Sequence, residues 1–156
     1  MTKYEELLDN AEKENVTVVE TSHFSGTKIK GLYLTNHIAL NKDMSTSAEK
    51  ACVLAEELGH HYTAVGDIID QTTAENRKQE LRGRIIAYNK MVGLSGILHA
   101  FKAHCQNQYE IAEYLDVTEE FLEETLQYYR SKYGLSTTID NYMITFEPLG
   151  VLELYE

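Results

Sequence analysis

The sequence predicts an α+β fold: a short N-terminal three-stranded sheet, a helical core, and a C-terminal helix-turn-helix-like pair followed by a β-hairpin. Three observations carry this expectation. Between residues 16 and 40, β-branched and alternating apolar runs are broken by Gly, Thr and Asn, the pattern of strands and turns. From residue 47 to about residue 133, apolar side chains recur three and four positions apart, which is helical spacing. After Gly134 that period vanishes and short strand-like runs return.

The first expected helix covers residues 4–14, with Leu7, Leu8 and Ala11 as a stripe among charges. Val16-Thr17-Val18-Val19-Glu20 is β-branched and reads as a strand. A polar loop over residues 26–30 follows. Gly31-Leu32-Tyr33-Leu34 and His37-Ile38-Ala39-Leu40 read as hairpin arms around Thr35-Asn36. The economical sheet is largely antiparallel, with residues 37–40 on an edge.

Ser45-Thr46-Ser47 offers N-caps for a helix over about residues 47–65, closed by Gly66-Asp67. Its apolar stripe is Ala51, Ala55, Leu58, Tyr62 and Val65. Thr73 is the next cap, and a second long helix over about residues 74–92 carries Leu81, Ile85, Tyr88 and Val92. A shorter helix over about residues 94–105 holds Ile97, Leu98 and Phe101. Residues 109–133 give two helices broken near Asp116-Val117, and Gly134 stops the second. Residues 142–146 and 151–154 form a hairpin around Pro148-Leu149-Gly150. The expected division is a domain over residues 1–106 with residues 107–156 packed on it.

Composition bounds the function. A chain of 156 residues, 43% hydrophobic and 25% charged, can bury a substantial core. Its apolar runs are too short to span a bilayer, and its acidic N-terminus lacks the apolar stretch of a signal peptide. Cys52 and Cys105 form no pattern and read as reduced thiols of a cytoplasmic protein. A net charge of −11 without a basic cluster argues against a nucleic-acid partner.

The chemistry concentrates in Ala55-Glu56-Glu57-Leu58-Gly59-His60-His61. Residues four apart lie one turn apart on one helix face, so Glu56 and His60 share a face. At about 100° per residue that face lies nearly opposite the apolar stripe. Glu57 projects beside it, where a general base belongs. A catalytic zinc takes three protein ligands and leaves a position for water. Glu80 on the next helix is the third candidate. If the two helices pack antiparallel, His60 and Glu80 both sit roughly 8 to 9 Å from the connecting turn. Gly83 and Ala87 share the face of Glu80, and with Gly59 they permit a close approach. A solvated polar face would show the same E-E-x-x-H pattern, and Glu80 in register is what favours the metal. His61 reads as surface, as a partner behind the ligands, or as a substitute ligand.

These residues resemble the ImmA/IrrE family of metallopeptidases of bacterial mobile elements and phages. The resemblance rests on Leu54-Ala55-Glu56-Glu57-Leu58-Gly59-His60-His61 and on residues 79–88, and covers roughly the first two-thirds of the chain. It implies a zincin-like helical core, with residues 1–106 as a metallopeptidase-like domain. It also implies Glu57 as general base, and His60 and Glu80 as ligands of Zn²⁺. The family pattern is H-E-x-G-H, so Glu56 stands where a histidine ligand is expected. One His and two Glu neutralise a divalent ion, polarise water less and suit harder ions such as Mn²⁺. The resemblance further implies cleavage of a phage- or element-type repressor with a helix-turn-helix domain, relieving repression. Residues Ile38, Ala39 and Leu40, on the expected edge strand, are the candidates for binding an extended substrate segment. The rival function is a non-catalytic binding module that sequesters the same repressor.

Residues 111–122 resemble a helix-turn-helix, with Ile111, Ala112, Leu115, Val117, Phe121 and Leu126 at core positions. Its second helix carries Glu119, Glu120, Glu123 and Glu124. Four carboxylates repel a phosphate backbone, so packing or docking of a basic protein surface is expected there.

Overall fold

The computed structural model describes residues 1–63 and 73–155. It has mixed α+β content, in two compact units, residues Met1–Ala87 and Tyr88–Glu156. No described helix is long and apolar enough to cross a membrane.

In the first unit, α1 (Lys3–Lys13) is capped by Thr2, whose hydroxyl accepts from the Glu5 amide, and it buries Leu7 and Ala11. Strands β1 (Thr17–Thr21), β2 (Gly31–Leu34) and β3 (His37–Asn41) form a sheet in the order β1-β3-β2. The β2–β3 hairpin turns at Thr35 and Asn36, both with positive φ, as a two-residue turn of this twist requires. β1 pairs with β3 in parallel. The sheet is therefore mixed, not largely antiparallel, and β3 is its central strand. The α1–β1 turn places the start of β1 beside the start of β3, where Thr17 N–H donates to Asn36 O.

Ile38 and Leu40 on β3 are fully buried beneath α2 (Ser47–Thr63), which packs on β2, β3 and α1. Thr46 caps α2 by accepting from the Glu49 amide at 3.1 Å, worth about 1 kcal/mol. Ala51, Leu54, Ala55 and Leu58 form its buried face. Tyr62, expected in that stripe, is exposed. Val65 and the Gly66-Asp67 stop lie outside the described residues. α3 (Thr73–Met91) departs from its expected stripe at one position: Leu81 is exposed, whereas Tyr88 and Val92 are buried together with Gly83, Ala87 and Met91. The packed side of α3 begins with the small residues Gly83 and Ala87 and continues with Tyr88 and Met91.

In the second unit, α4 (Gly93–Lys102) buries Ile97, Leu98 and Ala100 and packs on α5 (Gln108–Leu115) and on the C-terminal sheet. That packing places α4 with the C-terminal unit, so the division falls within α3 and not after residue 106. α5 ends at Asp116 in the left-handed region, and Thr118 caps α6 (Glu119–Tyr133). Phe121, Leu122, Thr125, Leu126 and Tyr129 are buried along α6. Tyr129 donates to Asn89 Oδ1 at 2.8 Å. The tail adds β4 (Ser136–Ile139), β5 (Tyr142–Phe146) and β6 (Leu149–Glu153), an antiparallel meander in that order. β4 was not expected, because Ser136-Thr137-Thr138 lacks an apolar alternation.

Candidate functional site

The buried face of α2 decides where the motif points. With Leu54, Ala55 and Leu58 turned inward, Glu56, Glu57, His60 and His61 sit at the margin, each part-buried. Two glycines then bring α3 against this margin. A Cβ added to Gly59 would lie 2.2 Å from the Gly83 carbonyl oxygen, and one added to Gly83 would lie 2.7 Å from His60 Nδ1. The two helices touch backbone to backbone, with the His60 ring resting on Gly83. The close approach expected from Gly59 and Gly83 is thus present.

The electrostatics record which side chains meet. The Glu57 carboxyl is pushed up to about 7 by burial first, then by the charges of Glu56 and Glu80. His60 is held below the usual histidine range by burial and by Arg84, against the opposing pull of Glu80. Three carboxylates on two helices therefore share one field with one imidazole.

They do not close into a metal cage. Among the described residues, no group of three or more His, Cys, Asp or Glu side chains is arranged to hold an ion. Glu80 is largely exposed and turns along its own helix to Arg84, 3.9 Å away. The donor chemistry nevertheless suits a divalent cation: mutually repelling carboxylates beside a neutral imidazole are relieved by positive charge. Glu56, His60 and Glu80 are the residues that would hold it, with Glu80 leaving Arg84.

Three relationships escape sequence reading. First, β2 crosses α2 at Glu57. A Cβ at Gly31 would come within 2.7 Å of Val53 Cγ1 and 3.3 Å of Glu57 Oε1. Second, Tyr33, two residues on and on the same strand face, has its hydroxyl 2.9 Å from His61 Nδ1. Third, His61 Nε2 lies 3.9 Å from a Glu14 carboxylate oxygen. His61 thus ties β2 and the end of α1 to the motif helix. The signal available beforehand was one glycine and one tyrosine at alternate positions of a leucine strand.

The substrate-binding expectation for Ile38, Ala39 and Leu40 needs correction. β3 has a partner on each side, so its backbone groups are engaged in the sheet, and Ile38 and Leu40 are fully buried. β2 is the end strand on the hairpin side of the sheet, and among the described residues no strand pairs with its outer edge. In the second unit, Glu119, Glu120, Glu123 and Glu124 all lie on the exposed side of α6, in keeping with the acidic surface expected there.

The family model described as the IrrE N-terminal-like domain of the M78 peptidases matches residues 11–127, more than half of the chain. No curated protein and no solved structure matches it significantly.

Proposed function

The chain belongs to the peptidase family with an IrrE N-terminal-like domain, and on that premise we propose that it is a metal-dependent endopeptidase acting on a helix-turn-helix repressor of a phage or mobile element, relieving repression. In this proposal Glu56, His60 and Glu80 hold the ion and Glu57 is the general base. The carrying observation is the Glu57 carboxyl itself, packed against Gly31 of β2 and lifted to about 7 by burial first and then by the charges of Glu56 and Glu80.

A divalent ion held there supplies Lewis acidity at the scissile carbonyl. Glu57 supplies the proton transfer. A carboxyl whose affinity for protons lies near neutrality takes one from the attacking water and returns it to the leaving amine. Gly31 leaves β2 close enough to confine that carboxyl. Two carboxylates and one imidazole neutralise the ion, so Mn²⁺ is expected to serve at least as well as Zn²⁺.

A second reading is supported by Glu80 pairing with Arg84 and by Glu56 at the position of the family's first histidine. In it the same cleft binds the repressor without cutting it. Metal analysis of the purified protein, with cleavage of the neighbouring gene's repressor by wild type and by Glu57→Gln, separates the two. Cleavage by wild type alone establishes the peptidase. Equal derepression by both proteins, without cleavage, establishes the binding module.

A further inference from the structure

We infer that the substrate enters as an extended strand on the free edge of β2, and that Leu32 and Leu34 select apolar residues at two alternate positions of that strand. This rests on the peptidase reading and names the substrate class of its site.

The backbone alternation of the hairpin defines the edge. Residues flanking a two-residue turn exchange both backbone hydrogen bonds, and bonded pairs then recur every second residue. Leu34↔His37 is such a pair, and Leu32↔Ala39 the next. Asn41 N–H donates to Lys30 O at 2.8 Å and continues the series. The N–H and C=O groups of Gly31 and Tyr33 consequently point away from β3. β2 is the end strand of its sheet, so an added strand pairs with these two residues. Gly31 lies on Glu57, which puts the paired backbone next to the candidate base. The Tyr33–His61 hydrogen bond holds the strand to α2, so the edge is ordered before a substrate arrives.

The outer face of the sheet gives the selectivity. Side chains of one pleat row are neighbours across strands. Register aligns Val19, Ala39 and Leu32 in one row, and Thr17, His37 and Leu34 in the next. Val19 is 49% exposed, Leu32 51% and Leu34 69%. The Val19–Ala39–Leu32 row is apolar and ends at the free edge, one step from Gly31. A substrate residue opposite Leu32 continues that row, and the residue opposite Leu34 lies two positions further along. The residue between them, opposite Tyr33, faces α2 and is outside this selection. Cross-strand apolar pairs of this kind give a preference of up to about fivefold per position.

The test is cleavage-site profiling of a proteome-derived peptide library by the full chain with Zn²⁺ or Mn²⁺. Cleaved peptides should be enriched in Leu, Ile, Val or Phe at two positions two residues apart, on one side of the cut. Leu32→Glu and Leu34→Glu, each checked for retained fold by circular dichroism, should each exchange one of these preferences for Lys or Arg. Cleavage without alternate apolar enrichment, or with a profile that both variants leave unchanged, overturns the inference and leaves the peptidase standing. No cleavage by wild type overturns the peptidase. In that case the same library retained on immobilised Glu57→Gln protein decides the strand docking, which fails if retained peptides lack the apolar alternation.

Discussion

Gly31 lies against Glu57 so closely that a single methyl at residue 31 would sit 3.3 Å from the Glu57 carboxyl oxygen and 2.7 Å from Val53 Cγ1. The strand and the motif helix therefore share one contact, and the glycine permits it. Gly31→Val should push β2 off α2. Forcing methyl groups into such a contact costs about 1–3 kcal/mol, visible as a lower urea midpoint. Cleavage should fall further than the remaining folded fraction explains. Wild-type stability in this variant would show that the contact is slack.

The two helix-contact glycines should differ in severity. At Gly59 an added Cβ meets backbone, the Gly83 carbonyl at 2.2 Å, whereas at Gly83 it meets the His60 ring at 2.7 Å. A side chain yields more readily than a carbonyl. Gly59→Ala should lower the thermal midpoint more than Gly83→Ala, while Gly83→Ala should weaken metal uptake by displacing the His60 imidazole. Isothermal titration with Zn²⁺ and with Mn²⁺ reads the second effect. Equal metal affinity in wild type and Gly83→Ala would remove His60 from the proposed ligand set.

Glu56→His converts Glu-Glu-x-x-His into His-Glu-x-x-His. The bound ion then keeps a positive charge that two carboxylates and one histidine would cancel, and it polarises water more strongly. Zinc-supported cleavage should rise, by at most about tenfold for each unit by which the water becomes more acidic, since a more acidic water leaves a weaker nucleophile, and the relative benefit of Mn²⁺ should shrink. Metal competition assays on both proteins measure it. A loss of zinc-supported cleavage would argue that Glu56 does not stand at the ion.

In the metal-free protein, the Glu57 carboxyl is raised from 4.5 to about 7, so the folded chain binds this proton more tightly than the unfolded chain. That contribution is fully present below 4.5 and is lost as pH rises through about 7. Its upper bound is about 3 kcal/mol at 1.36 kcal/mol per unit. Urea unfolding in chelator should show stability declining across that window. Glu57→Gln should flatten the decline and be the more stable protein at pH 8. Parallel pH curves for the two proteins would contradict the raising of the Glu57 carboxyl by burial and by the charges of Glu56 and Glu80.

Much of the local structure is legible in the sequence, because its causes are local. Thr46 caps the motif helix through its own hydroxyl. The Thr35-Asn36 turn forms where Asn tolerates the left-handed region. The break at Asp116 between α5 and α6 has the same origin. Periodicity misleads where a helix flanks the candidate site: Tyr62 and Leu81 sit at core spacing yet are exposed.

The sequence by itself determined that Glu56 and His60 share a helix face, since 3.6 residues per turn leaves no other arrangement, and that small residues stand where a second helix must approach. Only the tertiary structure decided which strand crosses the motif. A strand's own pattern encodes its two faces but not its neighbours, so the parallel pairing of β1 with β3, made by distant backbone groups, moved β3 to the centre and left β2 as the edge over Glu57. The Glu80–Arg84 pair, by contrast, is local: four residues apart on one helix, the two side chains are neighbours whatever packs against it.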